Sequence, residues 1–439
     1  MAEPLKVGLA GLGTVGTAVV RLLEEGRAKL IARCGRPIEI VAVSARSRGK
    51  KRDFDHRKFR WFADPAALAA DGSIDVLVEL MGGAGDPAKR AVETALSSGK
   101  PVVTANKALL ARHGQKLAAL AERHQVALNF EASVGGGIPI VKTLREGLNG
   151  DSFTRIYGIL NGTCNYILSR MEQDRLAFAD CLRDAQRLGY AEADPTFDVE
   201  GHDTAQKLSI LASLAFGTKL DPGAIYVEGI SSITLADLDA AGELGYRVKL
   251  LGVAMRTEAG IEQRVHPTMV PRESAIAQVM GVTNAVTVDA VGLAPITLVG
   301  PGAGGMATAS AVVSDLADIA RGVRTPPFGR PTARMTTIRK APMQRHEGGY
   351  YIRMLARDRP GTAATIARRL AQQNISLESI VQRHGAAHDT ARSGRSGAPV
   401  PVIMITYATS EDAVRKALAA VRRDRVISGR PQVIRIEKN

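Results

Sequence analysis

The sequence predicts an α/β protein of three parts: a Rossmann-type nucleotide-binding domain, an α+β domain and a small ferredoxin-like domain. Three observations support this prediction. A glycine-rich turn separates an apolar strand from a helix near the N-terminus, strands then alternate with helices, and the last part has the order βαββαβ. A chain of 439 residues is long enough to form several such cores.

The first strand and turn read LKVGLAGLGTVG, with Gly11, Gly13 and Gly16 in the spacing GxGxxG and a helix after them. Gly11 permits the tight turn, Gly13 lets the backbone approach a pyrophosphate, and Gly16 lets the helix pack on the strand. We therefore expect these glycines, with Thr14 and Val15 between them, to bind a dinucleotide. A glycine turn without a ligand is the alternative.

The second strand, IEIVAVSAR, ends without the carboxylate that commonly binds a ribose 2′-hydroxyl. Arg46 and Arg48 follow instead, and then come Lys50, Lys51 and Arg52. Cations suit a 2′-phosphate, so we expect NADP(H) to be preferred, with NAD(H) possible. A solvated basic loop is the alternative.

Strands at 73–80 and 100–106 continue a parallel sheet, in which ligands bind beyond the carboxyl ends of the strands. Lys107 follows one such end, so it either faces the cofactor or is a surface lysine that opens the next helix. Three glycines at 135–137 follow Glu131, and this turn could capture a cation through carbonyl and carboxylate oxygens. The residues alone favour a plain tight connection there.

From about residue 149 the chain reads as an α+β catalytic and dimerisation domain, with several β-rich runs between 225 and 299. A glycine turn then leads into a helix at 303–321, expected to return and complete the nucleotide-binding domain. We predict the domain division 1–148, 149–302, a linker at 322–347, and 348–439. The last unit is read as a separate regulatory or assembly module, or simply as a dimerisation sheet, and the polar loop at 385–400 has no assigned role.

The stretch 185–207 carries five carboxylates before one lysine. Residues 190–201 are predicted to be a loop, and a helix follows in which Asp203 and Lys207 are i,i+4 neighbours. A solvated ion pair is the default interpretation of such a pair. The surrounding acidic loop favours a pocket for a small cationic ligand such as an amino acid. The carboxylates are Glu192, Asp194, Asp198, Glu200 and Asp203.

Composition narrows the class of protein. The net charge is +14, but aromatic residues are only 4% and no nucleic-acid-recognition motif accompanies the basic clusters, so nucleic-acid binding is not expected. No apolar run of membrane-spanning length and no signal peptide is visible, which predicts a cytoplasmic protein. The three cysteines have neither disulfide-framework nor zinc-site spacing.

With these residues in view, the chain resembles the homoserine dehydrogenases over almost its whole length. The blocks GLGTVG, TANKALLA, FEASVGGGIP and GILNGTCNYIL are similar to blocks of that family. The tail is similar to an ACT domain, with Asp358, Pro360 and Gly361 in its first turn. No aspartokinase-like domain precedes the nucleotide fold, so the resemblance is to the single-function form. The family signature is matched by Ala185, Gly189, Tyr190, Ala191, Asp194, Pro195, Asp198, Val199, Gly201, Asp203 and Lys207.

The resemblance implies reversible NAD(P)H-dependent reduction of L-aspartate 4-semialdehyde to L-homoserine, a step toward threonine and methionine. Lys207 would be the acid-base residue, with Asp203 and Lys107 as further catalytic residues. Hydride delivery to an aldehyde builds negative charge on its oxygen, which requires a cation that can donate a proton. Substrate would be bound by Glu192, Asp198, Asp203 and Lys207.

The resemblance also implies that Lys107, Gly189 and Gly305 contact the cofactor, and that threonine is the first effector to test at the ACT domain. A homodimer or homotetramer is expected. Asp194 and Glu200 are left as loop structure. A monovalent cation, Na⁺ or K⁺, would be held by Glu131, Val134, Gly136 and Ile138.

Two competing functions use the same nucleotide fold. A phosphorylating semialdehyde dehydrogenase requires a thiolate nucleophile, for which Cys164 is the candidate, although a buried structural cysteine is the simpler interpretation. A nucleotide-sensing regulatory protein would use the C-terminal module and the basic loops as its output. The acid-base pair of Asp203 and Lys207 argues against a sensor.

Overall fold

The computed structural model describes residues 2–337, 339–343, 346–382 and 399–437. Its first part is a six-stranded parallel sheet in the order β3-β2-β1-β4-β5-β6, flanked by helices, as the alternating pattern predicts. The elements are β1 (Leu5–Ala10), α1 (Thr14–Glu25), α2 (Arg27–Cys34), β2 (Ile38–Ser44), β3 (Arg60–Phe62), α3 (Pro65–Ala70), β4 (Val76–Glu79), α4 (Ala88–Ser97), β5 (Val102–Thr104), α5 (Lys107–Arg123), β6 (Leu128–Asn129) and α6 (Ile140–Lys142).

The second part combines a cluster of helices with long antiparallel strands. Its sheet begins in the order β12-β11-β7-β9-β10, with β8 beside β10. The elements are β7 (Phe153–Ile159), α7 (Gly162–Asp174), α8 (Phe178–Arg187), α9 (Thr196–Val199), α10 (His202–Phe216), β8 (Tyr226–Val227), α11 (Leu235–Glu243), β9 (Tyr246–Thr257), β10 (Gly260–Pro271), β11 (Thr283–Ala290), β12 (Leu293–Pro301) and α12 (Gly305–Ala320).

Helix α12 returns to the nucleotide-binding sheet. Its apolar side chains, Val312 and Leu316 among them, are buried in one cluster with Val19 of α1 and Val7 of β1. The long apolar run after the glycine turn therefore forms the predicted returning helix. It places the N-termini of α1 and α12 side by side.

Helix α10 is buried on nearly every side, because it lies between β9 of the second domain and α5 of the first. The leucines that predicted one apolar face, Leu208 and Leu211, are fully buried. Asp203 and Lys207 are buried with them, so this helix does not present an ordinary solvated ion pair. The predicted loop before it is interrupted by the single helical turn α9, which follows Pro195.

The C-terminal part has the predicted βαββαβ order, with strands arranged β14-β15-β13-β17. This is the ferredoxin-like arrangement. The elements are β13 (Glu347–Arg357), α13 (Thr362–Ala371), β14 (Leu377–Gln382), β15 (Pro399–Thr406), β16 (Thr409–Ser410), α14 (Glu411–Arg423) and β17 (Ile427–Ile436).

This part is joined to the second domain through its edge strand, because β17 pairs in parallel with β10. The paired residues are Thr268 with Arg435 and Met269 with Ile436. One sheet therefore runs through both parts. The sequence pattern of a strand does not specify what lies along its edge, which is why the continuity was not predicted.

Buried charges lie at this junction, which we call the sheet junction. Arg435 of β17, which is 2% exposed, contacts Glu228 just after β8, and it donates to Glu411 of α14 at 2.7 Å. Arg264 of β10 is fully buried and contacts Glu262 and Glu437. Removing one partner from such a pair would leave the other charge buried and unpaired, which is costly.

The segment predicted to be a linker, 322–347, has little regular structure but is anchored to the body of the protein. Phe328 is fully buried, and its ring centroid lies 5.3 Å from that of Phe130. Thr332 donates its hydroxyl to Glu122 at 2.6 Å. The 385–400 loop falls outside the described residues, except for its last two positions, which begin β15.

Within the part of the chain that the structure describes, none of the helices has the length and apolarity needed to cross a membrane.

Candidate active site

The glycine-rich turn from Gly11 to Gly16, which we call the phosphate-binding turn, is tightly packed at two of its three glycines. Gly11 has φ +108°, and a Cβ there would lie 2.6 Å from the Leu80 carbonyl oxygen. A Cβ on Gly16 would lie 2.0 Å from the Gly11 carbonyl oxygen, so the first helical turn packs directly on the loop. At Gly13 a Cβ would meet nothing within 4 Å, so protein packing does not require glycine there, and the open space leaves room for a ligand to approach the backbone.

Gly305 completes this end of the sheet, since a Cβ there would lie 3.0 Å from Thr14 Cγ2. Two helix N-termini, those of α1 and α12, thus meet at one place. Their backbone N–H groups and dipoles favour an anion.

A pocket of about 360 Å³ lies beyond the end of β2, between Gly13 and the basic loop. Its cationic lining residues are Arg46, Lys50 and Arg52. Arg48 is exposed on the same loop and is not among the residues that line the pocket. The arrangement therefore separates two arginines that the sequence pattern treats alike.

A second cavity, of about 290 Å³, lies between the nucleotide-binding sheet and the second domain. Lys107 and Lys207 both line it, together with Val15 of the phosphate-binding turn and the loop residues Gly302 and Ala303. We call it the interdomain cavity. It adjoins the carboxyl ends of β4 and β5, where ligands of parallel sheets bind.

Asp203 joins the two lysines. Its Oδ1 lies 3.0 Å from Lys107 Nζ, and its Oδ2 lies 2.8 Å from Lys207 Nζ. Lys207 also donates to the Leu160 carbonyl oxygen at 2.7 Å, so its ammonium is held at a fixed position. The side chain of Lys107 remains 34% exposed, against 11% for Lys207.

A residue that the sequence reasoning did not single out organises this cluster. Asn161, which caps α7, donates from Nδ2 to Asp198 Oδ1 and to Asp203 Oδ2, both at 2.9 Å. An asparagine before a helix at the end of a strand is an N-cap signal, and that signal could have drawn attention to it. Nothing local in the sequence indicates its two carboxylate partners.

The two carboxylates are in opposite electrostatic environments. Burial and the nearby charge of Asp203 raise the pKa of Asp198. Burial also opposes ionisation of Asp203, but the charges of Lys207 and Lys107 outweigh it and hold the pKa of Asp203 well below its usual range. Asp203 is thus ionised near neutral pH, and its carboxylate pairs with both lysines.

The other acidic residues of the stretch lie outside this cluster. Glu192 has an exposed side chain. Asp194 accepts from the Thr196 backbone N–H at 3.1 Å, and Glu200 accepts from the Ser231 hydroxyl at 2.7 Å. Gly189 follows the end of α8 with φ +77°, the left-handed conformation in which glycine commonly ends a helix.

Cys164 lies on the first turn of α7 and is fully buried. Its thiol donates to the Asp198 carbonyl oxygen at 3.2 Å. Burial and the charges of Asp198 and Asp203 raise the pKa of this thiol well above its usual value. A thiolate nucleophile requires the opposite environment.

The candidate cation turn is packed against the loop that closes the interdomain cavity. Gly136 has φ +58°, a Cβ there would lie 2.5 Å from the Gly302 carbonyl oxygen, and Gly137 N–H donates to Pro301 O at 2.9 Å. The Glu131 carboxylate accepts from the N–H groups of Val141 and Lys142 at 2.9 and 2.7 Å. Its pKa is raised to about 7 by burial and by the charge of Asp315.

Among the described residues, no group of three or more His, Cys, Asp or Glu side chains is placed to hold a metal ion. Val134, Gly136 and Ile138 carry no side-chain oxygen, so only their main-chain carbonyls could act as ligands. The turn therefore suits a weakly held hard cation rather than a transition metal.

Comparison with known proteins gives one consistent result. Family models match three ranges: the homoserine dehydrogenase NAD-binding domain at 11–131, the homoserine dehydrogenase catalytic region at 139–317 and the ACT domain at 350–425. A homoserine dehydrogenase of Neisseria gonorrhoeae is 44% identical over 95% of each chain. One from Pseudomonas aeruginosa is 43% identical over 99% of each chain.

Solved structures agree. The crystal structure of a homoserine dehydrogenase from Thiobacillus denitrificans matches 100% of this chain and 99% of its own, with a TM-score of 0.91 at 41% identity. A hyperthermophilic archaeal homoserine dehydrogenase mutant in complex with NADPH covers 73% of this chain and 98% of its own, with a TM-score of 0.62 at 26% identity.

Proposed function

The chain belongs to the homoserine dehydrogenase family and is an NAD(P)-dependent oxidoreductase with homoserine dehydrogenase activity, and we propose that Lys207 moves the proton in this reaction. One observation carries the proposal: the contact of Lys107, Asp203 and Lys207 at the interdomain cavity. The reaction that the enzyme catalyses is the reversible conversion of L-aspartate 4-semialdehyde to L-homoserine.

A nicotinamide cofactor held at the turn of Gly11, Gly13 and Gly16 would supply the hydride for reduction and take it up in the reverse direction. Lys207 then has the task of giving a proton to the aldehyde oxygen, on which negative charge develops. Asp203 keeps both lysines in place through its two carboxylate oxygens. Lys107, at the start of α5 in the nucleotide-binding domain, adds a second positive charge at the junction of cofactor and substrate.

We assign the substrate's ammonium group to the carboxylates of the acidic stretch. Asp198 is half-buried beside Asp203 and is the better placed of the predicted anchors. We propose Glu192 as a further substrate-binding residue, which reaches the substrate when the exposed loop that carries it moves toward the cavity. Carboxylates would bind the ammonium group of the substrate, and Lys207 would face its aldehyde oxygen, so the two contacts together would fix its orientation.

We propose that NADP(H) is the preferred cofactor. The pocket beyond β2 offers the guanidinium groups of Arg46 and Arg52 and the ammonium of Lys50, and no carboxylate ends β2. The archaeal homoserine dehydrogenase mutant in complex with NADPH supports binding of the phosphorylated cofactor by this fold. Arg48, Gly189 and Gly305 complete the proposed cofactor-binding set with the phosphate-binding turn.

We further propose a monovalent cation, Na⁺ or K⁺, at the turn of Glu131, Val134, Gly136 and Ile138. Main-chain carbonyls are the oxygens that the last three can offer, and the Glu131 carboxylate is already engaged by backbone N–H donors. The role of such a cation would be structural. It would hold the turn that packs on the loop at 301–303 beside the interdomain cavity.

Regulation by an amino acid, with threonine as the first candidate, is proposed at the ACT domain. The sheet junction offers a physical connection to the active site. Arg435 holds Glu228, and the next residues pack tightly on the end of α9: Ile230 N–H donates to Val199 O at 2.8 Å, and a Cβ on Gly229 would lie 2.3 Å from that oxygen. Gly201, the N-cap of α10, lies two residues after Val199, so this contact is close to the start of the helix that carries Asp203.

A homodimer or homotetramer and a cytoplasmic location remain part of the proposal, as does the domain division at 148, 302 and 347. Strand β12 ends its sheet and exposes Leu293 and Val299, and such an edge suits pairing with a second copy. The free cysteines Cys34, Cys164 and Cys181 are typical of a reducing compartment.

The direct test is a spectrophotometric assay of L-homoserine oxidation by the purified chain, with NADP⁺ and NAD⁺ in parallel and with added threonine. Turnover of homoserine with a higher kcat/KM for NADP⁺, reduced by threonine, is the expected result. Absence of homoserine turnover with both cofactors would overturn the proposed function. Equal kcat/KM values would overturn only the cofactor preference.

A further inference from the structure

Asn161 lies in the second domain, between the end of strand β7 and the start of helix α7. It follows β7, is 5% exposed, and has every polar atom of its side chain engaged. Its Oδ1 accepts from the Cys164 backbone N–H at 2.8 Å, which caps α7. Its Nδ2 donates to both Asp198 and Asp203.

These contacts determine which way the amide faces. The Cys164 N–H can only donate, so the amide oxygen must face it, and the two carboxylates can only accept when ionised, so the NH₂ group must face them. With the amide reversed, an N–H would face an N–H and an oxygen would face two carboxylates. The helix cap thus aims two donors at the active-site carboxylates.

The charges around Asn161 explain why such a donor is needed. Asp198 on α9 and Asp203 on α10 share it, and the charge of Asp203 opposes ionisation of Asp198. Lys207 and Lys107 compensate Asp203 directly, whereas the Asn161 amide is the side chain that hydrogen-bonds Asp198 in the described structure. Without these two donors, the pKa of Asp198 would rise further and Asp203 would lose a contact that fixes its position relative to Lys207.

We propose that Asn161 is a positioning residue of the active site, whose amide holds the carboxylate of Asp198 beside that of Asp203 so that the pair can bind the substrate's ammonium group. The inference rests on the proposed roles of Asp203 and Lys207. It adds a residue that acts through the carboxylates, with no contact to the reacting atoms.

The test compares Asn161→Asp with the wild-type enzyme over the pH range of homoserine oxidation. Aspartate is as good a helix cap as asparagine and has the same shape, but it replaces two donors with an acceptor. We expect kcat/KM for homoserine to fall about tenfold or more, since a buried charged group loses its hydrogen bonds. The added negative charge raises the pKa values of the neighbouring carboxylates, so the acid limb of kcat/KM moves to higher pH.

Asn161→Ser is the second variant, because it keeps a capping oxygen without adding charge and covers the case in which Asn161→Asp does not fold. It should lose kcat/KM for homoserine and shift the acid limb in the same direction, while the KM for the cofactor changes less than about twofold. Ser410→Ala is the matched control, because it removes the capping bond to the Ala413 N–H in the C-terminal module. It should lower the unfolding midpoint without changing the pH profile.

Wild-type pH profiles and kcat/KM values in both Asn161 variants would overturn the inference while leaving the proposed function intact. Loss of stability alone, equal to that of Ser410→Ala, would assign Asn161 to capping only and would also overturn it. Failure of the wild-type enzyme to oxidise homoserine would instead count against the proposed function. The two failures are therefore distinguishable.

Discussion

Lys107 Nζ lies 3.0 Å from Asp203 Oδ1, so the first residue of α5 in the nucleotide-binding domain touches the catalytic helix of the second domain. The contact exists only when the two domains are packed together. Asp203 therefore has two cations, one from each domain, and the interdomain cavity opens beside them. Packing of the two domains against each other therefore also assembles the site.

Replacing Lys207 by methionine should abolish most of the activity. Methionine keeps much of the buried apolar stem but removes the ammonium that donates to Leu160 O and to Asp203. We expect kcat for homoserine oxidation to fall by roughly 10²–10⁴-fold, the usual contribution of a positioned acid-base group. Cofactor binding, measured by NADPH fluorescence titration, should change little.

Lys219→Met is the matched control for that variant, since Lys219 lies exposed just beyond the same helix. Its kcat should equal that of the wild-type enzyme. A kcat within a few-fold of wild type for Lys207→Met would remove this lysine from the chemistry and leave Lys107 as the candidate.

The basic loop after β2 should discriminate between cofactors more through Arg46 than through Arg48. Both side chains are exposed, but Arg46 lines the pocket beyond β2 and Arg48 does not. Arg46→Ala should raise the KM for NADP⁺ by about tenfold and alter that for NAD⁺ far less, because a charge-assisted bond to a 2′-phosphate is lost. Arg48→Ala should have a smaller effect in the same direction, and Arg33→Ala, at an exposed arginine of α2, is the matched control that should change neither KM. Equal effects of Arg46→Ala on both cofactors would contradict the 2′-phosphate assignment.

Cys164→Ser should leave the reaction intact. The thiol is fully buried, donates to the Asp198 carbonyl oxygen, and has a pKa well above its usual value, so it is not poised as a thiolate. Serine can make the same hydrogen bond, and kcat should stay within about threefold of wild type. Steady-state kinetics and inactivation by iodoacetamide provide the measurement. Loss of turnover in a folded variant would support the competing thiolate mechanism.

The sequence predicted what is determined locally. Gly11 and Gly16 are required by the close approach of neighbouring backbone, and the strand–turn–helix around them was predicted from the glycine spacing. The helical spacing of Asp203 and Lys207 was likewise visible. What the sequence did not reveal depends on distant packing: the burial of that pair, the approach of Lys107, and the amide of Asn161 between two carboxylates.

The same distinction explains the C-terminal module. Its βαββαβ order follows from periodicity within each segment, and the structure has that order. The pairing of β17 with β10 depends on which strand edge is left open after both parts fold. Charged residues such as Arg264 and Arg435 look like surface residues in sequence, yet they are buried because their carboxylate partners come from other strands and helices.

Lys249 should make the stability of the protein depend on pH. It lies in the middle of β9, is 1% exposed, and donates to Asn165 Oδ1 at 3.0 Å and to the Val279 carbonyl oxygen, both uncharged acceptors. Burial, helped by the charge of Arg247, lowers its pKa to about 7 from 10.5. The unfolded chain therefore binds more protons than the folded one between these two values.

Because the unfolded chain binds more protons than the folded chain in this pH interval, the free energy of unfolding increases with pH. The stability of the wild-type protein relative to Lys249→Met should thus be lowest and constant below about pH 7, and should rise through the interval up to 10.5. Urea unfolding midpoints at several pH values provide the measurement, because all other titrating groups are common to both proteins. Lys416→Met, an exposed lysine on α14, is the control and should give a curve parallel to wild type. A parallel curve for Lys249→Met as well would mean that Lys249 keeps its proton in the folded protein, and the burial argument would then be wrong.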